Sequence, residues 1–159
     1  CGDTAFIIPN TDTTLTIPST SERVITVGAY DSVNISTVGF SGRGYTRATE
    51  YIKPDLVAPG VNILTTTVGG SVSSFTGTSA AAPFVSGSIA LLMEWGIVDR
   101  NDIFLYGERL KAFLCNGAIR DNSREYPNRE WGYGRLCLKN TLDLLKNRGL
   151  FISPPSRLI

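Results

Sequence analysis

Gly77-Thr78-Ser79-Ala80-Ala81-Ala82-Pro83 stands at the head of an apolar stretch, residues 84–95, and offers a hydroxyl placed for nucleophilic chemistry. A serine or threonine at a helix start ordinarily closes orphan backbone N–H groups and does nothing else. Three features of this segment argue for more. Gly77 admits a close backbone approach or an unusual turn. Ala80, Ala81 and Ala82 add little bulk around Ser79. Pro83 has no N–H to give the Ser79 carbonyl, which loosens the first turn. A nucleophile there has the positive end of the helix dipole beside it, and its own backbone N–H can form half of an oxyanion hole. The hydroxyl still needs a base to take its proton. Histidine is absent from the chain, so the base must come from another segment, and the commonest metal ligand is missing as well.

The elements that would position Ser79 follow from patterning. Residues 13–18 and 24–30 read as strands, the second a nearly continuous apolar run of the kind buried on both faces. Phe40-Ser41-Gly42-Arg43-Gly44 should turn sharply, and Asp55-Leu56-Val57-Ala58 is a short apolar segment stopped by Pro59-Gly60. Residues 61–68 and 71–75, joined through Gly69-Gly70, read as a β-hairpin. Residues 84–95 are apolar almost all round, which predicts a helix buried in a core. Between Pro83 and Glu94 the apolar part falls short of the ~20 residues of a membrane span. Asn101 is placed to cap a second helix through Leu114, with Ile103, Tyr106, Leu110, Phe113 and Leu114 on one stripe and Gly117 as the stop. Residues 121–130 read as an exposed loop, residues 139–147 as a last helix with Leu142 and Leu145 inward, and residues 151–159 as an extended tail. Strands alternating with buried and amphipathic helices predict an α/β layered fold. Ser79 then lies at a strand-to-helix junction, where open α/β sheets place their sites.

Composition narrows the function classes. At 159 residues with 42% hydrophobic and 18% charged, the chain reads as one globular unit with a sizeable core. A net charge of +1 gives no electrostatic footprint for nucleic acid or an acidic membrane surface. Cys1, Cys115 and Cys137 are odd in number and lack CxxC spacing, which argues against a disulfide scaffold or zinc site and leaves one bridge plus a free thiol open. Nothing at the start resembles a signal peptide, and a first residue of Cys rather than Met places the natural N-terminus upstream.

Gly77 to Pro83 resembles the GTSxAxP signature around the nucleophile of the subtilisin-like serine proteases, peptidase family S8. Val24-Ile25-Thr26-Val27-Gly28-Ala29 is similar to that family's strand after the oxyanion asparagine region, and Phe40 to Gly44 to its F-S-x-x-G loop. Lys53-Pro54-Asp55-Leu56-Val57-Ala58-Pro59-Gly60 matches its K-P-D-x-x-A-P-G segment, and Gly132-Tyr133-Gly134 resembles the G-x-G before its last helix. The five motifs keep the family's order from Ser21 to Leu145. The details Gly42-Arg43-Gly44-Tyr45-Thr46-Arg47 and Met93-Glu94-Trp95-Gly96 look closest to clostridial subtilases, a group that includes spore-germination proteases.

The resemblance implies the C-terminal half of a three-layer α/β domain with a mostly parallel sheet. It makes Ser79 the nucleophile and its N–H an oxyanion donor, with Gly77, Thr78 and Pro83 in support. The family's catalytic Asp and His and its oxyanion Asn precede this region, so an upstream segment or separate chain must carry them. Asp31, Asp55 and Asn62 sit in contexts matching non-catalytic parts of the pattern, although Asp55 suits a structural hydrogen-bond role in its turn. Ala80 stands where the family usually has Met, and Cys137 where it often has Asn. Cys115 and Cys137 read as core residues. No cofactor is implied. A structural calcium occurs in the family, with no ligand cluster legible here. The substrate implied is a peptide bound extended along strand edges; the compartment stays open, with a secreted or cell- or spore-associated setting favoured over the cytoplasm. The alternative reading is a non-catalytic subtilisin-like scaffold that binds peptides or signals. An α/β-hydrolase esterase is disfavoured, because its serine sits in G-x-S-x-G and its histidine follows the serine.

Overall fold

Val27–Asp31 forms β1, the strand from which the site is built, in a computed structural model that describes residues 8 and 10–149. Ser36–Thr37 (β2) folds back antiparallel on it, pairing Tyr30 with Thr37. Gly44–Tyr45 (β3) and Ile52–Lys53 (β4) make a small antiparallel pair, and Leu56–Pro59 (β5) runs parallel to β1, pairing Val27 with Leu56 and Tyr30 with Pro59. The sheet is therefore mixed, in the order β2-β1-β5, and the parallel bridge between Val57 and Arg135 extends it by one residue. Ile63–Thr66 (β6) and Val72–Phe75 (β7) form the expected hairpin, turned through Gly69 and Gly70, both at positive φ.

Because successive strand residues face opposite sides, β1 and β5 divide their side chains between two clusters. Ala29, Leu56 and Ala58 pack with residues of three helices: Thr78–Met93 (α1), Gly107–Gly117 (α2) and Leu138–Gly149 (α3). Tyr30 and Val57 face the other way and are covered by Trp131, whose ring centroid lies 5.6 Å from that of Tyr30. Leu110, Phe113 and Leu114 of α2 and Leu145 of α3 are inward, as their periodicity predicts.

Five expectations are corrected. The strand read over 24–30 starts only at Val27, and residues 24–26 are irregular. Residues 13–18 form no strand. Thr14 reaches Arg43 through its N–H (3.1 Å), but Thr13 takes a positive φ and the Thr16 carbonyl accepts the Ser19 N–H in a turn (2.8 Å). Helix α2 starts at Gly107 instead of Asn101. The Asn101 amide donates to the Trp95 carbonyl (2.7 Å), and Asp102 accepts the Phe104 N–H and pairs with Arg109 (2.6 Å), so residues 99–106 close a compact turn and leave Ile103 and Tyr106 exposed. Helix α1 is covered on one side only. Ala81, Val85, Ser88 and Leu92 form its buried stripe, while Phe84 (42% exposed) and Leu91 (55%) face outward. Finally, α1 continues as a π-helical turn over Glu94–Val98, closed by the Asp99 N–H on the Glu94 carbonyl (2.9 Å). The 21 residues Thr78–Val98 thus reach spanning length by length and composition, and one stripe of the helix packs on the sheet. Cys1 and residues 151–159 lie outside the described residues.

Candidate active site

Ser79 is positioned from the sheet upward. The Tyr30 carbonyl at the end of β1 accepts the Gly60 N–H (3.0 Å), and the Gly60 carbonyl accepts the Gly77 N–H (2.8 Å). Two hydrogen bonds therefore tie the start of α1 to the carboxyl ends of two parallel strands, where sites of α/β sheets lie. Gly60 makes this possible, since a Cβ there would sit 2.5 Å from the Ala29 Cβ. The glycine of the K-P-D-x-x-A-P-G segment is the close-approach residue. Gly77 is not, because a Cβ on it would meet nothing nearer than 3.6 Å. The Ser41 hydroxyl, from the glycine-punctuated loop, accepts the Ala29 N–H (3.0 Å) and anchors that loop to the same strand.

Gly77 is the N-cap of α1 at φ 159° and ψ 165°, a positive-φ conformation suited to glycine, and no side chain caps the helix. Ser79 is the second helical residue and is exposed, so its hydroxyl is not spent as a cap. Among the described residues its Oγ has no hydrogen-bond partner, and its backbone N–H lies in the first turn, where no intrahelical acceptor exists. Pro83, also exposed, offers no N–H to the Ser79 carbonyl. Behind the serine Ala80 and Ala81 are buried. Beside it lies an open cavity of about 340 Å³, whose wall includes Ser19, Val24, Thr26, Thr78 and Ala82.

Asp55 does not approach Ser79. It is 3% exposed and directly precedes β5; Oδ2 accepts the Thr26 N–H and the Lys53 ammonium (both 2.7 Å) and Oδ1 accepts Lys111 (2.8 Å). Its structural role matches the expectation, whereas Lys111 was not singled out in the sequence. A lysine on an amphipathic helix reads as a solvated residue, and no local pattern marks it. Burial pushes the Lys53 ammonium below its ordinary range. Burial also pulls on Lys111, but the hydrogen bond and charge of Asp55 outweigh it and raise that group. Cys115 lies beside these charges as a free thiol, and burial together with Asp55 lifts it to about 11, which keeps it protonated and inert. Cys137, half-buried, is also a free thiol. Asp31 ends β1 as a turn former, accepting the Val33 N–H (2.9 Å) and the Asn34 amide, bonds that hold its carboxyl below the usual range. Among the described residues no three His, Cys, Asp or Glu side chains group as a metal site.

Comparison with known proteins agrees with this geometry. The sequence profile of the Subtilase family matches residues 2–134. The chain is 30% identical over 149 residues to the serine protease AprX of Bacillus subtilis, covering 81% of this chain and 32% of that protein. It is 34% identical over 137 residues to an uncharacterized protein of Aquifex aeolicus, covering 72% of this chain and 59% of the relative. The solved structure of the Clostridium perfringens CspB protease superposes with a TM-score of 0.88 at 52% identity, over 91% of this chain and 32% of that one. The chain thus spans between about a third and three-fifths of these proteins, and the clostridial affinity of its motifs is matched by a clostridial protease. With the matched profile, the ordered motifs and the shared fold, this chain belongs to the subtilase family of peptidases.

Proposed function

We propose that this chain supplies the nucleophile of a serine endopeptidase. The observation that carries the reading is the state of Ser79: an exposed hydroxyl at a helix N-terminus, free of any capping bond, beside an unpaired backbone N–H. A histidine from an upstream segment or partner chain takes the Ser79 proton as Oγ attacks the scissile carbonyl, and an aspartate orients that histidine. The Ser79 N–H and an asparagine of the same segment hold the oxyanion. The histidine then protonates the leaving amine, and water attacks the resulting acyl-enzyme in a second cycle of the same groups. The outward side of α1, with Phe84 and Leu91, and the exposed apolar residues Leu64, Val72 and Phe75 of the hairpin give that segment a surface to cover. The limited share of each relative that this chain spans supports the same division.

Fluorophosphonate labelling, mapped by mass spectrometry with Ser79→Ala as control, tests the reading. The chain by itself is expected to form no adduct, and the chain joined to its upstream segment is expected to react at Ser79. Rapid labelling of the isolated chain would show that a residue within it activates the serine, and would overturn the division of the site. Failure of the joined protein to react at all would favour a non-catalytic scaffold.

A further inference from the structure

The wall of the cavity beside Ser79 is held by donors from elsewhere in the molecule. Residues 22–26 form no strand, so the carbonyls of Glu22 and Val24 have no ladder partner. Lys111 of α2, partly exposed, donates to the Glu22 carbonyl (2.6 Å), the Val24 carbonyl (3.0 Å) and Asp55 Oδ1 (2.8 Å). Lys53 adds a second bond to the Val24 carbonyl (3.0 Å) and Asp55 takes the Thr26 N–H (2.7 Å). The Thr26 hydroxyl passes the restraint on to the Ser19 carbonyl (2.6 Å). Ser19, Val24 and Thr26 line the same cavity as Ser79. Turning an ammonium inward costs desolvation that a surface lysine avoids. Here that cost goes into fixing a stretch of backbone with no regular structure of its own.

The geometry points to Lys111 as a positioning residue that acts through Val24 and Thr26 to hold the wall against which a peptide seats beside Ser79. This inference rests on the protease reading above. A wall that only orients bound substrate affects the seating of a long peptide and leaves attack on a small, self-reactive probe untouched.

The test uses the parent polypeptide that carries this chain with its Asp- and His-bearing segment, comparing wild type, Lys111→Met and Lys111→Arg. Hydrogen exchange read by mass spectrometry reports the wall without reference to activity. Lys111→Met is expected to lose protection over residues 19–27 while α1 and α3 keep theirs, and Lys111→Arg to restore most of it. Toward a fluorogenic peptide, Lys111→Met is expected to raise KM about tenfold with kcat within about twofold, while its fluorophosphonate labelling rate stays at the wild-type level. Unchanged exchange over residues 19–27 would overturn the proposal. So would loss of protection throughout the domain, if Lys111→Gln shows the same, since Lys111 would then serve the fold as a whole. Local opening in a parent that shows no Ser79-dependent hydrolysis would sustain the wall-holding role and sink the protease reading instead.

Discussion

Asp55 carries two ammonium groups and a backbone N–H on two oxygens; the carboxylate and Lys53 are buried, and Lys111 is partly exposed. Such a cluster stabilises little relative to an apolar core of the same shape, yet removing one member leaves uncompensated charge. Asp55→Ala is therefore expected to cost about 3–5 kcal/mol, measured by urea denaturation of the parent protein. A loss under about 1 kcal/mol would mean that both lysines swing out to solvent. The K-P-D segment marked the aspartate for a structural hydrogen-bond role, but of its three partners only Lys53 is local; the Thr26 N–H and Lys111 come from distant segments. The course of Lys111 was not legible, since its acceptors come from residues 87 and 89 positions away. Ser79 shows the same division. Its helix-start position was legible in the G-T-S-A-A-A-P run, but whether its hydroxyl served as a cap required the backbone path through Gly77.

At the scale of elements, the Gly132 turn holds residues 132–136 against β5 and the residue before it. The Tyr133 N–H donates to the Asp55 carbonyl (2.8 Å), and Gly132 itself takes φ 55° with no room for a side chain. A Cβ there would lie 2.2 Å from the Pro54 carbonyl oxygen. Gly132→Ala should lower stability by about 2 kcal/mol or more, from left-handed strain and the clash together. Gly39→Ala, with open space around it, should stay within about 0.5 kcal/mol. Thermal melts of the two variants side by side check this, and equal losses would refute the steric account. The hairpin, β5 and α3 were readable from turn residues and period. The start of α2 was misread because Asn101 and Asp102 carry good capping groups that this fold spends on the preceding turn.

Across the whole molecule, α1 and the hairpin expose a run of apolar side chains that includes Leu64, Val72, Phe75, Phe84 and Leu91. Exposed patches of this kind mark a surface made to be covered. The isolated chain should bind a hydrophobic dye such as ANS, self-associate on a sizing column and melt without a sharp transition. Joining the upstream segment should suppress all three. A monomer that melts cooperatively on its own would show that the chain needs no such cover. The amino-acid sequence by itself determined the hairpin, β5 and the helix that carries Ser79, together with the lack of a histidine base, because these follow from residue identity and short-range period. Tertiary structure alone decided that α1 is covered on one side, that the Ser79 hydroxyl is left free, and that Lys111 supports the wall beside it. Those depend on contacts between residues as many as 89 positions apart, which no local pattern encodes.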